Sequence, residues 1–368
     1  MRIGIEITPL TAAPTGVGYY VRHLLAALLS QQDCSEYVGF ASGMHVPNIT
    51  SLPLYYRRVP IPTRLLYKSW ENIGLPYVDT LLGGVDVYHA VNYVLPPTKN
   101  AKRVLSIHDL CFLRHPEWAS PKIVGPFQRT IRKHAHEADT VIACSESTKR
   151  EIIELLELPE ERIRMIHDAA DVLFQPVHHD VARKQVADTL NISFPYMLFV
   201  GTREPRKNLG TLLEAFAKAD IPHHLVIAGG SGWNSSDLQE QVVRLHLQEK
   251  VHFTGYINDR VLFPALYSAA TAFVFPSWYE GFGLPVLEAM ACGCPVIVSN
   301  TTSMPEVGGD AALYAAPEDT DGWANLLEQV SGDDVLRQTM SQKGFERSKR
   351  FSWQRCAEET LECYRSVL

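Results

Sequence analysis

The sequence predicts an α/β protein built from two doubly wound parallel sheets. Three observations carry this. Short apolar runs of strand length alternate with segments of helical periodicity through most of the chain. Loops rich in glycine and proline follow several of these runs, where a strand hands over to a helix. The alternation starts afresh near Tyr196 after an irregular stretch, so the 368 residues divide into two domains.

Residues 2–7 read as the first strand. Residues 8–18 form a loop with Pro9, Pro14, Gly16 and Gly18, after which Val17, Tyr20, Val21, Leu24, Leu25, Leu28 and Leu29 fall at helical spacing. Strand, glycine loop and helix is an arrangement that holds phosphates. Val21 stands where a dinucleotide fingerprint needs its third glycine, and no acid closes a second strand about 20 residues on, which argues against NAD. A turn that merely needs glycine is the competing reading. Residues 37–41 look like a strand, and 43–62 are proline-rich and irregular. Strands at 85–89 and 104–108 follow, the second running into His108-Asp109. Ligands of doubly wound sheets sit beyond strand C-termini, so His108 is a candidate for chemistry, against the reading of a structural histidine. After a strand at 140–143, Ser145 or Thr148 can cap a helix, with Glu151 completing a Thr148-x-x-Glu151 box. Residues 162–166 close the first half, and 167–176 read as a linker.

The second half offers strands at 196–200, 225–228, 251–254, 272–275 and 296–298 with helices between, then helices near 319–330, 333–348 and 353–366. His246 falls on the apolar spacing of a helix near 236–247 and is not a ligand candidate. The expected domains are 1–172 and 173–352, with the last helix, 353–368, packing back on the first.

Composition excludes several classes. Hydrophobic residues make up 46% and charged residues 20%, as in a soluble globular protein, and no apolar run spans a bilayer. No signal peptide is evident, which suggests a cytoplasmic protein. Seven scattered cysteines, with no second Cys/His pair beside Cys292 and Cys294, argue for reduced thiols rather than disulfides or zinc. Residues 1–176 hold 18 basic and 18 acidic side chains, so the net charge of −7 lies wholly in the remainder, and nucleic acid is not an expected partner. Within the first half, Arg57, Arg58, Arg64 and Lys68 lie in an acid-free stretch with Tyr55, Tyr56, Tyr67 and Trp70, and Lys122, Arg129, Arg132 and Lys133 form a second basic group. Basic residues beside aromatics suit an anionic membrane surface; a solvated face with core aromatics is the alternative.

Two stretches of the second half carry the strongest chemical signal. In Gly201-Thr202-Arg203-Glu204-Pro205-Arg206-Lys207-Asn208, cations stand at a strand end just ahead of a helix, which suits a diphosphate. In Tyr279-Glu280-Gly281-Phe282-Gly283-Leu284-Pro285, a strand ends in an acid and a glycine turn, Pro285 takes a first helical position, and Gly293 ends the helix. Glu280 then lies in the loop and Glu288 in the helix, where both can address one ligand near free N–H groups.

These residues resemble the retaining glycosyltransferases of family 4, with a GT-B fold, in particular the bacterial mannosyltransferases of O-antigen and other surface polysaccharides. Thr15-Gly16-Val17-Gly18, Ser106-Ile107-His108-Asp109-Leu110, the two stretches above, Ser299-Asn300 through Pro305-Glu306-Val307, Gly309-Asp310-Ala311-Ala312 and Phe351-Ser352-Trp353 carry the likeness. It implies two Rossmann-like domains facing a central cleft. Arg206 and Lys207 would hold the nucleotide diphosphate and stabilise the leaving charge. Glu280 would approach the donor sugar, and Glu288 the ribose hydroxyls. Backbone N–H groups of Phe282, Gly283 and Leu284, beside Gly281, would meet the sugar or β-phosphate. Gly16 would permit close approach to the diphosphate, His108 would touch the reacting centre, and Ile257 and Asp259 would lie at the base. The sequence departs from the family at the domain junction, where His167-Asp168-Ala169-Ala170-Asp171 lacks the usual glycine, and at Thr202, where relatives often have arginine.

The implied activity is transfer of a sugar, mannose from GDP-mannose, with retention, to a lipid-linked saccharide. The enzyme would work in the cytoplasm or on the inner face of the plasma membrane. No Asp-x-Asp stands at a strand end to hold a metal, and the resemblance implies an enzyme that works without metal or other cofactor. The alternatives are another donor (UDP-glucose, UDP-GlcNAc or dTDP-rhamnose), a sugar-nucleotide epimerase of the same fold, and an inactive nucleotide-sugar-binding scaffold.

Overall fold

The computed structural model describes residues 1–11, 16–31, 33–49, 52–232 and 237–368. Pro14 and Thr15 of the glycine loop, and the side chain of Lys122, lie outside the described residues. The chain forms two compact units: Met1–Asp168 with Ser352–Leu368, and Ala169–Phe351. The first break falls at Asp168, inside the stretch read as a linker.

The first unit is built on strands β1 (Arg2–Glu6), β2 (Glu36–Ser42), β3 (Tyr55–Val59), β4 (Val87–Ala90), β5 (Lys102–Ile107), β6 (Thr140–Ala143) and β7 (Ile163–Met165). They pair in parallel in the order β3-β2-β1-β4-β5-β6-β7. The apolar runs of β4 and β6 are buried throughout, as strands covered by helices on both faces must be. The order reverses direction between β1 and β4, and that switch point is where such sheets bind ligands.

One expectation fails here, and one is met by only one of its two alternatives. Residues 43–62 are not wholly irregular, because β3 lies within them. It is the edge strand, mostly exposed, and so lacks the apolar run that marks a buried strand. Thr148 is not the cap. Ser145 is the N-cap of the Glu146–Leu156 helix and accepts from Thr148 N at 3.0 Å, while Glu151 pairs with Arg114 at 2.9 Å.

The terminal helix Trp353–Ser366 belongs to this first unit. Tyr364 OH lies 2.7 Å from His89 Nδ1, His89 Nε2 lies 2.8 Å from Ser106 Oγ, and Ser106 Oγ lies 3.2 Å from Tyr20 OH. Burial, with His108 nearby, holds His89 down at about 3, so the ring stays neutral. Trp353 stacks on His23 at 5.3 Å. A polar chain and an aromatic contact therefore tie the helix to its unit.

Glu6 ends β1 at the switch point and is buried. Burial pushes its carboxyl up to about 7, against hydrogen bonds from Val91 N and Tyr67 OH, each 3.4 Å long. A folded value above the unfolded value of 4.5 means that the native state keeps a proton the unfolded chain has lost. Stability therefore falls as pH rises from about 4.5 to 7, by up to roughly 3 kcal/mol. Glu6→Gln should raise the melting temperature at pH 8 and leave it nearly unchanged at pH 5, measured by circular dichroism. An equal shift at both pH values would contradict this account.

The second unit is built on β8 (Tyr196–Val200), β9 (His224–Ala228), β10 (Val251–Gly255), β11 (Ala272–Phe275), β12 (Val296–Ser299) and β13 (Ala312–Ala315). Its parallel order is β10-β9-β8-β11-β12-β13, with the switch point between β8 and β11. Phe199, Phe273 and Phe275 stack at the centre, all fully buried. The two loops singled out in the sequence leave β8 and β11 and so flank the switch point.

Candidate active site

The loop after β8 is held by glycines. Gly201 N donates to Ala228 O at 2.9 Å, Arg203 N to Gly230 O at 3.1 Å and Gly232 N to Arg203 O at 3.2 Å, so the loop continues to pair with the segment after β9. Gly229 has φ +145, and a Cβ there would lie 2.0 Å from Gly201 O. Only glycine lets the two backbones approach this closely. Residues 205–207 then make one 3-10 turn, and Asn208 at φ 55 starts the helix Leu209–Lys218. The Asn208 amide donates to Pro276 O at 3.1 Å and Pro317 O at 2.7 Å, pinning the turn to the segment after β11.

The turn delivers Arg206 and Lys207 to Glu280. Lys207 Nζ lies 2.6 Å from Glu280 Oε1, and Arg206 Nη1 lies 2.9 Å from Glu280 Oε2. Arg206 also donates to Tyr279 O at 3.2 Å and to Glu204 Oε2 at 3.2 Å. Lys207 Nζ sits 4.6 Å from the centre of the Phe275 ring. The Lys207 and Glu280 side chains are both buried. Burial opposes the charge on Glu280, but Arg206 and Lys207 outweigh it and hold the carboxyl at about 2. Burial, with Arg206 adding repulsion, lowers Lys207 from its ordinary value, and Glu280 opposes that. The sequence treated cations and acid as two halves of a ligand site. The structure makes them one ionised cluster, in which Lys207 gives one of its three N–H groups to Glu280.

The segment from Glu280 to Leu284 is fixed from below. Glu280 N donates to Thr302 Oγ1 at 3.2 Å, and Ser303 Oγ donates to Glu280 O at 3.0 Å and Phe282 O at 2.8 Å. Gly281 lies between these two anchors. Phe282 turns its ring inward, edge-on to Phe351 at 5.8 Å. Gly283 takes φ +104 and caps the helix Leu284–Ala291, its carbonyl accepting from Val286 N at 3.0 Å and Leu287 N at 3.4 Å, while Pro285 has no N–H to satisfy.

Glu288, on that helix, is half-buried against two partners that share no local spacing with it. Arg260 Nη2 donates to its Oε1 at 3.2 Å and Tyr267 OH to its Oε2 at 3.2 Å. Burial outweighs both and pushes the carboxyl up to about 7. Arg260 reaches Asp171 at 3.7 Å and lies 5.2 Å from the Phe174 ring. No local spacing joins Arg260 to Glu288, which is why pattern reading missed it. Ile257 is half-buried and Asp259 exposed in the loop after β10. The Asp259 carboxylate accepts from Val261 N at 3.0 Å and so caps the 260–262 turn.

In the first unit, His108 follows β5. Its Nε2 lies 3.0 Å from Val91 O and therefore carries the proton. Burial lowers its pKa, so the ring is neutral, and it meets Tyr20 edge-on at 4.6 Å. Gly16 opens the Gly16–Ser30 helix, and a Cβ there would meet nothing within 4 Å. The fold of its own unit does not require glycine at 16.

Two sequence families divide the chain as the fold does. Glycosyltransferase family 4 matches residues 14–172 and the group 1 glycosyl transferases match 183–347. O-antigen chain mannosyltransferase B of Escherichia coli is 31% identical over 388 aligned residues, covering 99% of this chain and 100% of the relative. The chain belongs to glycosyltransferase family 4. Solved structures agree on the fold of this glycosyltransferase. Sucrose-phosphate synthase from Thermosynechococcus elongatus has a TM-score of 0.79 and 25% identity, covering 100% of this chain and 98% of that one. HepE from Anabaena, solved with UDP and glucose, has a TM-score of 0.78 and 18% identity, with 100% of both chains covered. The two doubly wound units are thus those of the GT-B class.

Proposed function

We propose that this glycosyltransferase moves mannose from GDP-mannose, with retention, to a lipid-linked saccharide acceptor in O-antigen biosynthesis. The Lys207–Glu280–Arg206 cluster at the switch point of the second sheet carries the reading of a nucleotide-sugar donor site. The full-length likeness to an O-antigen chain mannosyltransferase favours mannose. In the reaction the bond from the sugar's anomeric carbon to the diphosphate oxygen breaks and a bond to the acceptor oxygen forms. The acceptor's proton goes to the departing phosphate oxygen. Lys207 and Arg206 stabilise the charge that develops on the diphosphate, from a low-dielectric setting where such donors act strongly. Glu280 holds those cations in place and turns toward the donor sugar. Backbone N–H groups of Phe282, Gly283 and Leu284 meet the sugar or β-phosphate, and Glu288 accepts from the ribose hydroxyls. Ile257 and Asp259 border the base. Gly16 permits close approach to the diphosphate, and neutral His108 serves the reacting centre. No covalent sugar–enzyme intermediate is assigned to Glu280.

The test is transfer by the purified enzyme from a panel of GDP-, UDP- and dTDP-sugars to a lipid-linked acceptor, with anomeric configuration read by NMR. GDP-mannose should be used with retention and unaffected by chelators, because the leaving charge is met by Arg206 and Lys207. Turnover of another donor alone, inversion, epimerisation without acceptor, or binding without turnover would each replace this reading.

We also assign the edge of the first sheet to an anionic membrane. Arg57, Arg58, Arg64 and Lys68 are exposed on β3 and the Thr63–Asn72 helix, beside exposed Met44, Val46, Tyr55 and Leu65. Trp70 is buried and Tyr67 bonds Glu6, so these two aromatics serve the core. The second basic group is partly spent, since Arg132 pairs with Glu157 at 3.1 Å and Lys133 with Glu137 at 3.8 Å. Among the described residues no helix is long and apolar enough to cross a membrane. Each basic residue near an anionic surface contributes about 1 kcal/mol, so changing Arg57, Arg58, Arg64 and Lys68 to Gln should weaken binding to phosphatidylglycerol vesicles by roughly 10²–10³-fold. Equal sedimentation of variant and wild type would count against this face.

A further inference from the structure

We propose that His108, Cys144 and Asp168 form a zinc-binding site in the first unit, one that silences transfer when filled. The three residues lie far apart in sequence. Each follows the C-terminal end of one of three neighbouring parallel strands, β5, β6 and β7. One ligand atom from each lies within 4.8 Å of the other two. A tetrahedral zinc with bonds of about 2.0–2.3 Å spaces its donors roughly 3.3–3.8 Å apart, so bringing any pair closer by about 1.5 Å at most closes the set.

Two further observations point to a cation. Asp168 is 4% exposed, and its Oδ1 is buried with no hydrogen-bond partner. A buried carboxylate oxygen left in this state costs free energy that a metal bond would offset. His108 donates through Nε2 to Val91 O at 3.0 Å, which leaves the lone pair on Nδ1. A ligating histidine is commonly held in this way by a backbone carbonyl on its other nitrogen. Cys144 is buried, its Sγ donating to His108 O at 3.1 Å. On binding, the thiol releases its proton to solvent and the thiolate takes the metal. One imidazole, one thiolate and one carboxylate select zinc over magnesium or calcium and leave a fourth position for water.

The loss of transfer rests on the role given to His108 above, because an imidazole bound to metal cannot serve the reacting centre. The binding itself does not rest on it. Cobalt(II) is the probe, titrated into metal-free full-length protein carrying Cys34→Ser to remove the exposed thiol. One equivalent should give tetrahedral visible bands and a sulfur-to-cobalt charge-transfer band, and zinc should bleach both. Cys144→Ser should abolish the charge-transfer band and make transfer resistant to zinc. Asp168→Asn, which keeps the side-chain shape, should weaken binding by roughly tenfold or more. Circular dichroism checks the fold of each variant. Absence of the band in the parent protein, or its persistence in Cys144→Ser, overturns the site. Metal binding by a protein with no transferase activity would refute the proposed function alone. Zinc-insensitive transfer by a protein that binds no cobalt would refute only this site.

Discussion

Lys207→Ala should lower kcat for sugar transfer by about 10²–10³-fold, with a smaller change in KM for the donor. The magnitude is that of removing one preorganised donor from a site of developing charge, about 2.7–4 kcal/mol. Lys207 Nζ is buried, lies against the Phe275 ring at 4.6 Å and gives one N–H to Glu280 at 2.6 Å, so the group is already positioned when the diphosphate leaves. The same substitution strands part of a buried charge. Breaking a buried pair from one side costs about 3–5 kcal/mol of stability, and here Arg206, 2.9 Å from Glu280, limits the damage. The two effects separate in Lys207→Ala with Glu280→Gln. The double variant leaves no carboxylate without its lysine, so its melting temperature should recover toward that of the parent; Glu280→Gln alone is the reference for turnover, and the double variant should fall below it. A Lys207→Ala enzyme that turns over within tenfold of wild type would remove Lys207 from the chemistry.

Much of this arrangement can be read before any coordinates, for a physical reason. Buried parallel strands must be apolar along their whole length, so β4, β6, β8 and β11 announce themselves, and the loops after them gather unusual residues at the ligand end. Gly201 to Asn208 and Tyr279 to Pro285 stand out on that ground. Three kinds of feature stay hidden. An exposed edge strand such as β3 has no apolar run to betray it. Long-range polar pairs leave no local spacing: Arg260 with Glu288, both cations with Glu280, and the Tyr20–Ser106–His89–Tyr364 chain appear only once the sheets are ordered. Side-chain competition is the third. Ser145 and Thr148 are equally good caps by type, and Glu151 stands at box spacing from Thr148 alone, yet Ser145 is the cap, accepting from Thr148 N, and Glu151 meets Arg114 from a distant part of the chain.

Gly229→Ala should be the most damaging single-atom-group change near the site, and Gly283→Ala a milder one, although both glycines have positive φ. At Gly283, φ +104 imposes strain on any L side chain of roughly 1–2 kcal/mol. The atom in the way there is Met304 Cε, 2.3 Å from the new Cβ, the far end of a flexible side chain that can swing aside. At Gly229 the obstacle is Gly201 O at 2.0 Å with Gly201 C at 2.7 Å, and backbone cannot rotate away. Relief requires moving the strand end after β9 or the loop after β8, which breaks the hydrogen bonds Gly201 N to Ala228 O and Arg203 N to Gly230 O. At about 0.5–1.5 kcal/mol for each bond, added to the backbone strain, the cost reaches several kcal/mol. The displaced loop is also the one that carries Arg206 and Lys207, so donor affinity should fall with stability even though Gly229 touches neither cation. Calorimetric donor binding and thermal melting of the two variants, side by side, check the order. Gly283→Ala melting at a lower temperature than Gly229→Ala would show that side-chain strain at the helix start outweighs the backbone contact.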